Sequence, residues 1–309
     1  MTTPVAVTGA GGYVGGRVVQ ALDAAGQGVR PLARRAVPWS RVPTIDLDLA
    51  VAPVDEIAAA LDGCAAVVHL AGANEVLASA DPDAALASTI TAGRRVAAAA
   101  RQAGVERLVV LSTFHVYGAA AGPGALVSTA LRPEPRHPYA VARLAVEHLA
   151  HEYGPAGLVV LRLTNGIGAP VDRRVDRWSL VANDLCLQAV AGPEVVLRSS
   201  GVQWRDFIPL VDAVRAIIGA AEGRVPPGTY DLGSGRPERV LDLATLVANV
   251  ATEVLGRPTR VVAPPPEGPE PAPFTLDVGP LRALGFDART PLRDALVETI
   301  EVCRDQEVP

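Results

Sequence analysis

In the run HPYAVARLAVEHL (137–149), Tyr139 stands four residues ahead of Arg143. On a helix that spacing puts both side chains on one face, one turn apart. A phenol beside a fixed cation is either a surface pair or half of an acid–base site. A free tyrosine has a pKa of about 10, and a cation roughly 4–6 Å away lowers it by about 1–3. Arginine supplies that charge, but with a pKa above about 12 it does not release a proton as a lysine ammonium can. The chemistry such a pair suits is proton delivery to an alkoxide left by hydride transfer to a carbonyl.

A second constellation lies near the start. VTGAGGYVGG places Gly9, Gly12 and Gly15 between an apolar run (4–9) and a helical stretch (15–26). A dinucleotide site needs that arrangement: one glycine for the tight turn, one for close approach to the pyrophosphate, one for helix–strand packing. The next apolar run (28–35) ends LARR, with Ala33 where an acid would bind a ribose 2′-hydroxyl, followed by Arg34 and Arg35. Arginines there accommodate a 2′-phosphate, so NADP(H) is the expected cofactor, with NAD possible.

These residues need a scaffold. Apolar runs at 65–72, 106–113 and 157–165 alternate with helical stretches at 54–63, 91–104 and 138–154. Strands apolar on both faces with helices between them imply a parallel sheet covered on both sides. Pro31 weakens the strand at 28–35. After about residue 166 the alternation loosens into a helix at 178–192, a loop at 201–217, a strand at 228–235, a proline-rich connection at 263–273 and a helix at 290–303. The fold class expected is α/β, a Rossmann doubly wound parallel sheet with a smaller C-terminal α/β substrate lobe. Residues 1–165 would form the dinucleotide-binding domain, joined by later strands near 201–235. Residues 166–309 would form the interleaved lobe.

Composition sets limits. A chain of 309 residues that is 49% hydrophobic and 20% charged can bury a large core. A net charge of −5 argues against a nucleic-acid binder. Every basic side chain other than histidine is arginine, since lysine is absent. Cys64, Cys186 and Cys303 form neither a metal spacing nor a disulfide framework, and no metal is expected. Without a basic segment followed by an apolar one at the start, or any run of about 18 apolar residues, a soluble cytoplasmic protein is expected and no membrane partner.

The glycine loop, HLAG (69–72), LSTFHVYG (111–118), YAVAR (139–143), LRLTNGIGAP (161–170) and GVQWRDFI (201–208) occur in an order and spacing that resemble the extended short-chain dehydrogenase/reductase family, in its nucleotide-sugar epimerase/dehydratase branch. The resemblance spans nearly the whole chain. It implies that Tyr139 is the catalytic tyrosine, that Thr113 hydrogen-bonds the reacting oxygen, and that Arg143 replaces the usual lysine. It implies further that Tyr13 and Val14 meet the pyrophosphate, Asp48 and Leu49 the adenine end, and Leu70, Ala71 and Gly72 the underside of the cofactor. Asn165 and Arg205 match residues that hold the diphosphate of a nucleotide sugar, the expected substrate. A homodimer is what the family suggests. Where the family's 4,6-dehydratases carry Asp–Glu, this chain has Phe114 and His115. Dehydration by that route is therefore not expected, and His115 becomes a candidate to contact substrate or move a proton. His69, His137, His148 and His151 read as structural.

The activity expected is an NADP(H)-dependent reductase or dehydrogenase acting on a keto or hydroxyl carbon of a nucleotide-linked sugar. Two alternatives stand beside it: an epimerase that keeps a tightly held NAD, and a cofactor-binding protein with little catalysis because the lysine is missing.

Overall fold

The computed structural model describes residues 3–305. Its main sheet has seven strands: β1 (Val5–Thr8), β2 (Val29–Ala33), β3 (Ile45–Asp46), β4 (Ala66–His69), β5 (Arg107–Thr113), β6 (Gly157–Leu163) and β7 (Gly228–Leu232). They lie in the order β7-β6-β5-β4-β1-β2-β3, every neighbour parallel. This is the Rossmann arrangement. The chain steps outward from β1 to β3, then restarts at β4 on the other side of β1. The crevice at the carboxyl ends of β1 and β4 is therefore the switch point where such sheets bind ligands.

The ten α-helices among the described residues are α1 (Tyr13–Ala24), α2 (Val54–Leu61), α3 (Glu75–Ala80), α4 (Pro82–Gln102), α5 (Pro138–Tyr153), α6 (Val181–Ala191), α7 (Leu210–Ala221), α8 (Val240–Leu255), α9 (Gly279–Ala283) and α10 (Leu292–Arg304). The strand periodicity of two decides which helices cover which face. Val109 and Leu111 of β5 pack toward α1 and α7, with Val18, Leu22 and Ile217. Leu108 and Val110, one residue out of phase, pack toward α2, α4 and α5, with Ile57, Val96 and Val146.

Pro31 sits inside β2 without breaking it, and the ladder shows why. The carbonyls of Gly28 and Leu32 accept from β1 and the residue after β1's turn, whereas that of Ala33 accepts from Leu47 on the β3 side. Pro31 shares the parity of Ala33, so its missing N–H faces the β3 side, where pairing begins only at Leu32.

Helix α4 begins at Pro82, nine residues before the expected 91, because Asp81 accepts from the Ala84 N–H and Pro82 takes the first helical position. Helix α8 lay unassigned in the sequence. Its buried Val240, Leu243, Ala244, Val247 and Ala251 follow the helical period and end at Gly256, with φ 67°. With α6 and α10 it forms a separate apolar core. That lobe also carries a parallel pair, Glu194–Val196 with Arg260–Val262. Asn165–Ile167 pairs with Phe207–Pro209, and Trp204–Arg205 with Glu238–Arg239. The proline-rich 263–273 runs without regular structure. No helix among the described residues is long and apolar enough to cross a membrane.

Candidate functional site

Between β1 and α1 the glycines are a steric requirement. Gly9 has φ 68°, and a β-carbon on it would stand 2.8 Å from the Ala71 backbone nitrogen. A β-carbon on Gly15 would lie 2.1 Å from the Gly9 carbonyl oxygen. Gly12 caps α1 without any side-chain acceptor, and the first turn holds no acid. Its opening N–H groups are left for an anion, which the helix dipole favours. Tyr13 is buried, and its hydroxyl donates to the Gly168 carbonyl at 2.6 Å. The side chain thus ties the loop to the lobe, leaving its backbone and Val14 to face the cleft. Under the loop, Thr8 Oγ1 accepts from the Leu70 N–H at 3.2 Å and the Ala71 N–H at 3.4 Å, and bonds His69 Nδ1 at 2.8 Å. Burial, then the charge of Arg143, pushes His69 down to about 3, so this histidine is a neutral structural group.

At the other end of the loop, Arg34 and Arg35 are exposed beyond β2, and neither has an ion-pair or hydrogen-bond partner among the described residues. Asp48 is exposed and accepts from the Ala50 N–H at 2.9 Å, while Leu49 is buried beside α2. These four and Ala71 lie off the wall of the cleft beside the glycine loop.

That cleft, of about 580 Å³, brings together Gly9, Gly12, Gly15, Leu70, Gly72, Thr113, His115, Tyr139, Arg143, Asn165 and Arg205. Thr113 closes β5, buried, and its Oγ1 accepts from the His115 N–H at 3.2 Å. The hydroxyl proton is left to donate. His137 caps α5 through its Nδ1, with Pro138 in the first turn, which aims the next residue, Tyr139, into the cleft. The Arg143 guanidinium carbon lies 5.4 Å from the Tyr139 ring centre. Arg143 is buried, reaches the Ala71 and Leu111 carbonyls at 3.3 and 3.4 Å, and leaves its Nε unpartnered.

Arg205 has no acidic partner among the described residues. The neighbouring carboxylates that could have held it are occupied: Asp206 accepts from Thr164, Ser234 and Arg236, while Asp212 accepts from the Thr290 N–H and is ion-paired with Arg215. Arg205 is exposed at the cleft, and desolvation there lowers its pKa. Asn165 donates to the Asp206 carbonyl at 2.8 Å and lines the cleft. An unpaired, partly desolvated guanidinium facing a cleft is a fork for phosphate oxygens.

Sequence inspection missed three features. His137 stacks on Tyr139 with ring centres 5.9 Å apart and planes within 9°. Its position before Pro138, at a helix start, was the available signal. Glu75 and Arg177, 102 residues apart, pair across the cleft at 2.9 Å, and no local pattern could join them. Behind the site, Ser112 donates to Glu147, which pairs with Arg162 at 2.7 Å; Arg162 donates to the Tyr117 hydroxyl at 3.0 Å, and Tyr117 to Asp231 at 2.7 Å. This buried chain fastens α5 to the ends of β5, β6 and β7.

Together the glycine cradle, the free α1 N-terminus and the open arginines fit a nicotinamide dinucleotide. The model of the NAD dependent epimerase/dehydratase family matches residues 5–233. The chain is 33% identical to a dTDP-6-deoxy-L-talose 4-dehydrogenase (NAD(P)(+)) of Kitasatospora kifunensis, over 95% of this chain and 93% of that one. It is 26% identical to a GDP-6-deoxy-D-mannose reductase of Pseudomonas aeruginosa, over 84% of this chain and 85% of that one. A solved structure of MoeE5 in complex with UDP-glucose and NAD superposes with a TM-score of 0.80 at 29% identity, covering 98% of this chain and 99% of that one.

Proposed function

The chain belongs to the NAD-dependent epimerase/dehydratase family, and from that premise we propose that it is an NAD(P)-dependent oxidoreductase acting on a keto or hydroxyl carbon of a nucleotide-linked sugar. One observation carries this reading: Thr113 and Tyr139 share a cleft with the unpaired Arg205 guanidinium. A hydrogen-bonding and proton-donating pair at one place and a diphosphate fork at another suit a sugar joined to a nucleotide.

A bound nicotinamide dinucleotide supplies or accepts the hydride. The chain's own residues do the rest. The N–H groups at the start of α1 hold the pyrophosphate, and Arg34 and Arg35 hold a 2′-phosphate, favouring NADP(H). Thr113 donates to the reacting oxygen and Tyr139 gives it a proton, or takes one in the oxidative direction. Arg143 keeps a positive charge beside the phenol. Asn165 and Arg205 grip the sugar's diphosphate. His115 faces the hexose. The three cysteines, all buried and free, suit a reducing compartment, and we place the enzyme in the cytoplasm.

The test is NADPH oxidation, and NADP⁺ reduction in reverse, against UDP-, dTDP- and GDP-linked 4-keto and 4-hydroxy sugars. Turnover with a nucleotide sugar and none with the free sugar supports the assignment. Epimerisation without net cofactor turnover, by protein that retains stoichiometric dinucleotide through gel filtration, would replace it.

A further inference from the structure

A phenol that has given its proton to an alkoxide must be reprotonated before the next turnover. The side chain placed to assist Tyr139, Arg143, cannot do this by titrating. Its guanidinium is also turned onto the Ala71 and Leu111 carbonyls. Two imidazoles, however, lie against the tyrosine. The His137 ring is stacked on it, and the His115 ring meets it edge-on with centres 6.5 Å apart. The two histidines are themselves edge to face at 5.3 Å.

Their roles differ. His137 Nδ1 accepts the Ala140 N–H at 3.3 Å, which puts the proton of its neutral ring on Nε2 and commits the ring to the cap. Among the described residues His115 is hydrogen-bonded only through its backbone N–H to Thr113 Oγ1, and its ring stands at the open edge of the cleft. It is therefore the imidazole in contact with both solvent and the tyrosine.

We propose that His115 is the proton shuttle between Tyr139 and solvent, taking the part that a titrating side chain at position 143 would play. This rests on Tyr139 being the acid. In the reductive direction the His115 imidazolium transfers its N–H proton to the Tyr139 phenolate, directly or through one water. The neutral imidazole then takes a proton from bulk water. In the oxidative direction the same proton travels outward.

The groups around His115 suit the task. His137 from the α5 cap, Arg205 from its short strand, Glu75 from α3 and Tyr139 from α5 all face it, and Arg177 reaches it through its pair with Glu75. Desolvation of the side turned to the cleft first, then His137 and Arg205, holds its pKa below the usual histidine range, with Glu75 opposing. The ring is open to solvent and meets the phenol edge-on, so it can pass a proton between the two.

The experiment uses the full-length protein with NADPH and a dTDP-linked 4-keto-6-deoxyhexose. His115→Ala should lower kcat on the order of 100-fold with little change in KM, and imidazole added to the buffer should restore turnover in a saturable, pH-dependent way. A rise in KM alone, or a lowered kcat that imidazole does not restore, would overturn the shuttle. A second measurement needs no turnover. In ring-labelled protein, the NMR titration midpoint of His115 should move on Tyr139→Phe, and an unmoved midpoint would also overturn it. Failure of the tyrosine assignment looks different, because Tyr139→Phe would then retain turnover.

Discussion

Arg143 lies flat against Gly72. A β-carbon on that glycine would stand 3.0 Å from the guanidinium carbon, and the glycine's φ is 151°. The arginine's seat under Tyr139 therefore depends on a residue with no side chain. Gly72→Ala should displace Arg143, strain the backbone and lower turnover. Arg143→Lys should retain or raise activity, because an ammonium supplies the same charge and can also release a proton. The double variant should be more active than Gly72→Ala alone, since a slim ammonium needs less room than the planar fork. Steady-state kinetics on the four proteins checks this, and strictly additive losses would refute the dependence.

Cofactor choice turns on the two open arginines after β2. Arg34→Ala should weaken NADPH binding by roughly 1–3 kcal/mol, the value of a hydrogen bond to a charged group, and leave NADH nearly unchanged. Fluorescence titration with both nucleotides measures the difference. Equal losses would remove the 2′-phosphate assignment.

Arg205 makes its contribution through the diphosphate alone. Arg205→Ala should raise KM for a nucleotide sugar while sparing a truncated sugar that lacks the diphosphate. If both substrates suffer alike, the residue serves the structure and not the substrate.

Asp231 gives the buried chain behind the site a pH signature. Burial pushes its carboxyl up to about 6, opposed by the Tyr117 hydrogen bond and the charge of Arg162. The folded value is above the unfolded one, so the protonated form is favoured by folding. This group's contribution is then fully present below about pH 4 and is lost as pH rises through about 6, on the order of 3 kcal/mol in all. Asp231→Asn keeps an acceptor for Tyr117 and cannot ionise. Its stability relative to wild type in urea unfolding should rise between pH 4 and 6.5 and then level off. A difference independent of pH would contradict the assignment.

The parallel sheet was legible in the sequence because β1, β4, β5 and β6 are apolar on both faces, and Gly9, Gly12 and Gly15 announce a strand-to-helix turn; the strand order was not. The start of α4 was legible in principle, since Asp81 and Pro82 are a cap and a first-turn residue, but the polar Asp83 and Ser88 on its open face diluted the apolar period. Tyr139, Thr113 and Arg205 could be named because each sits in a local pattern. The pairing of Glu75 with Arg177 could not, because it depends on how the lobe closes over the sheet. Nor could the release of Arg205, which required knowing that Asp206 and Asp212 spend their oxygens on Thr164, Ser234, Arg236, Arg215 and Thr290. His137 was hidden by its second task, the cap of α5.

The assignment of Tyr139 as the acid is tested most directly by comparing turnover and cofactor affinity in Tyr139→Phe. The substitution removes one hydroxyl and keeps the ring that stacks on His137 and lies over Arg143. Hydride transfer with a nucleotide sugar should fall to background, while NADPH binds with nearly the wild-type Kd. Turnover that survives in this variant would contradict the account.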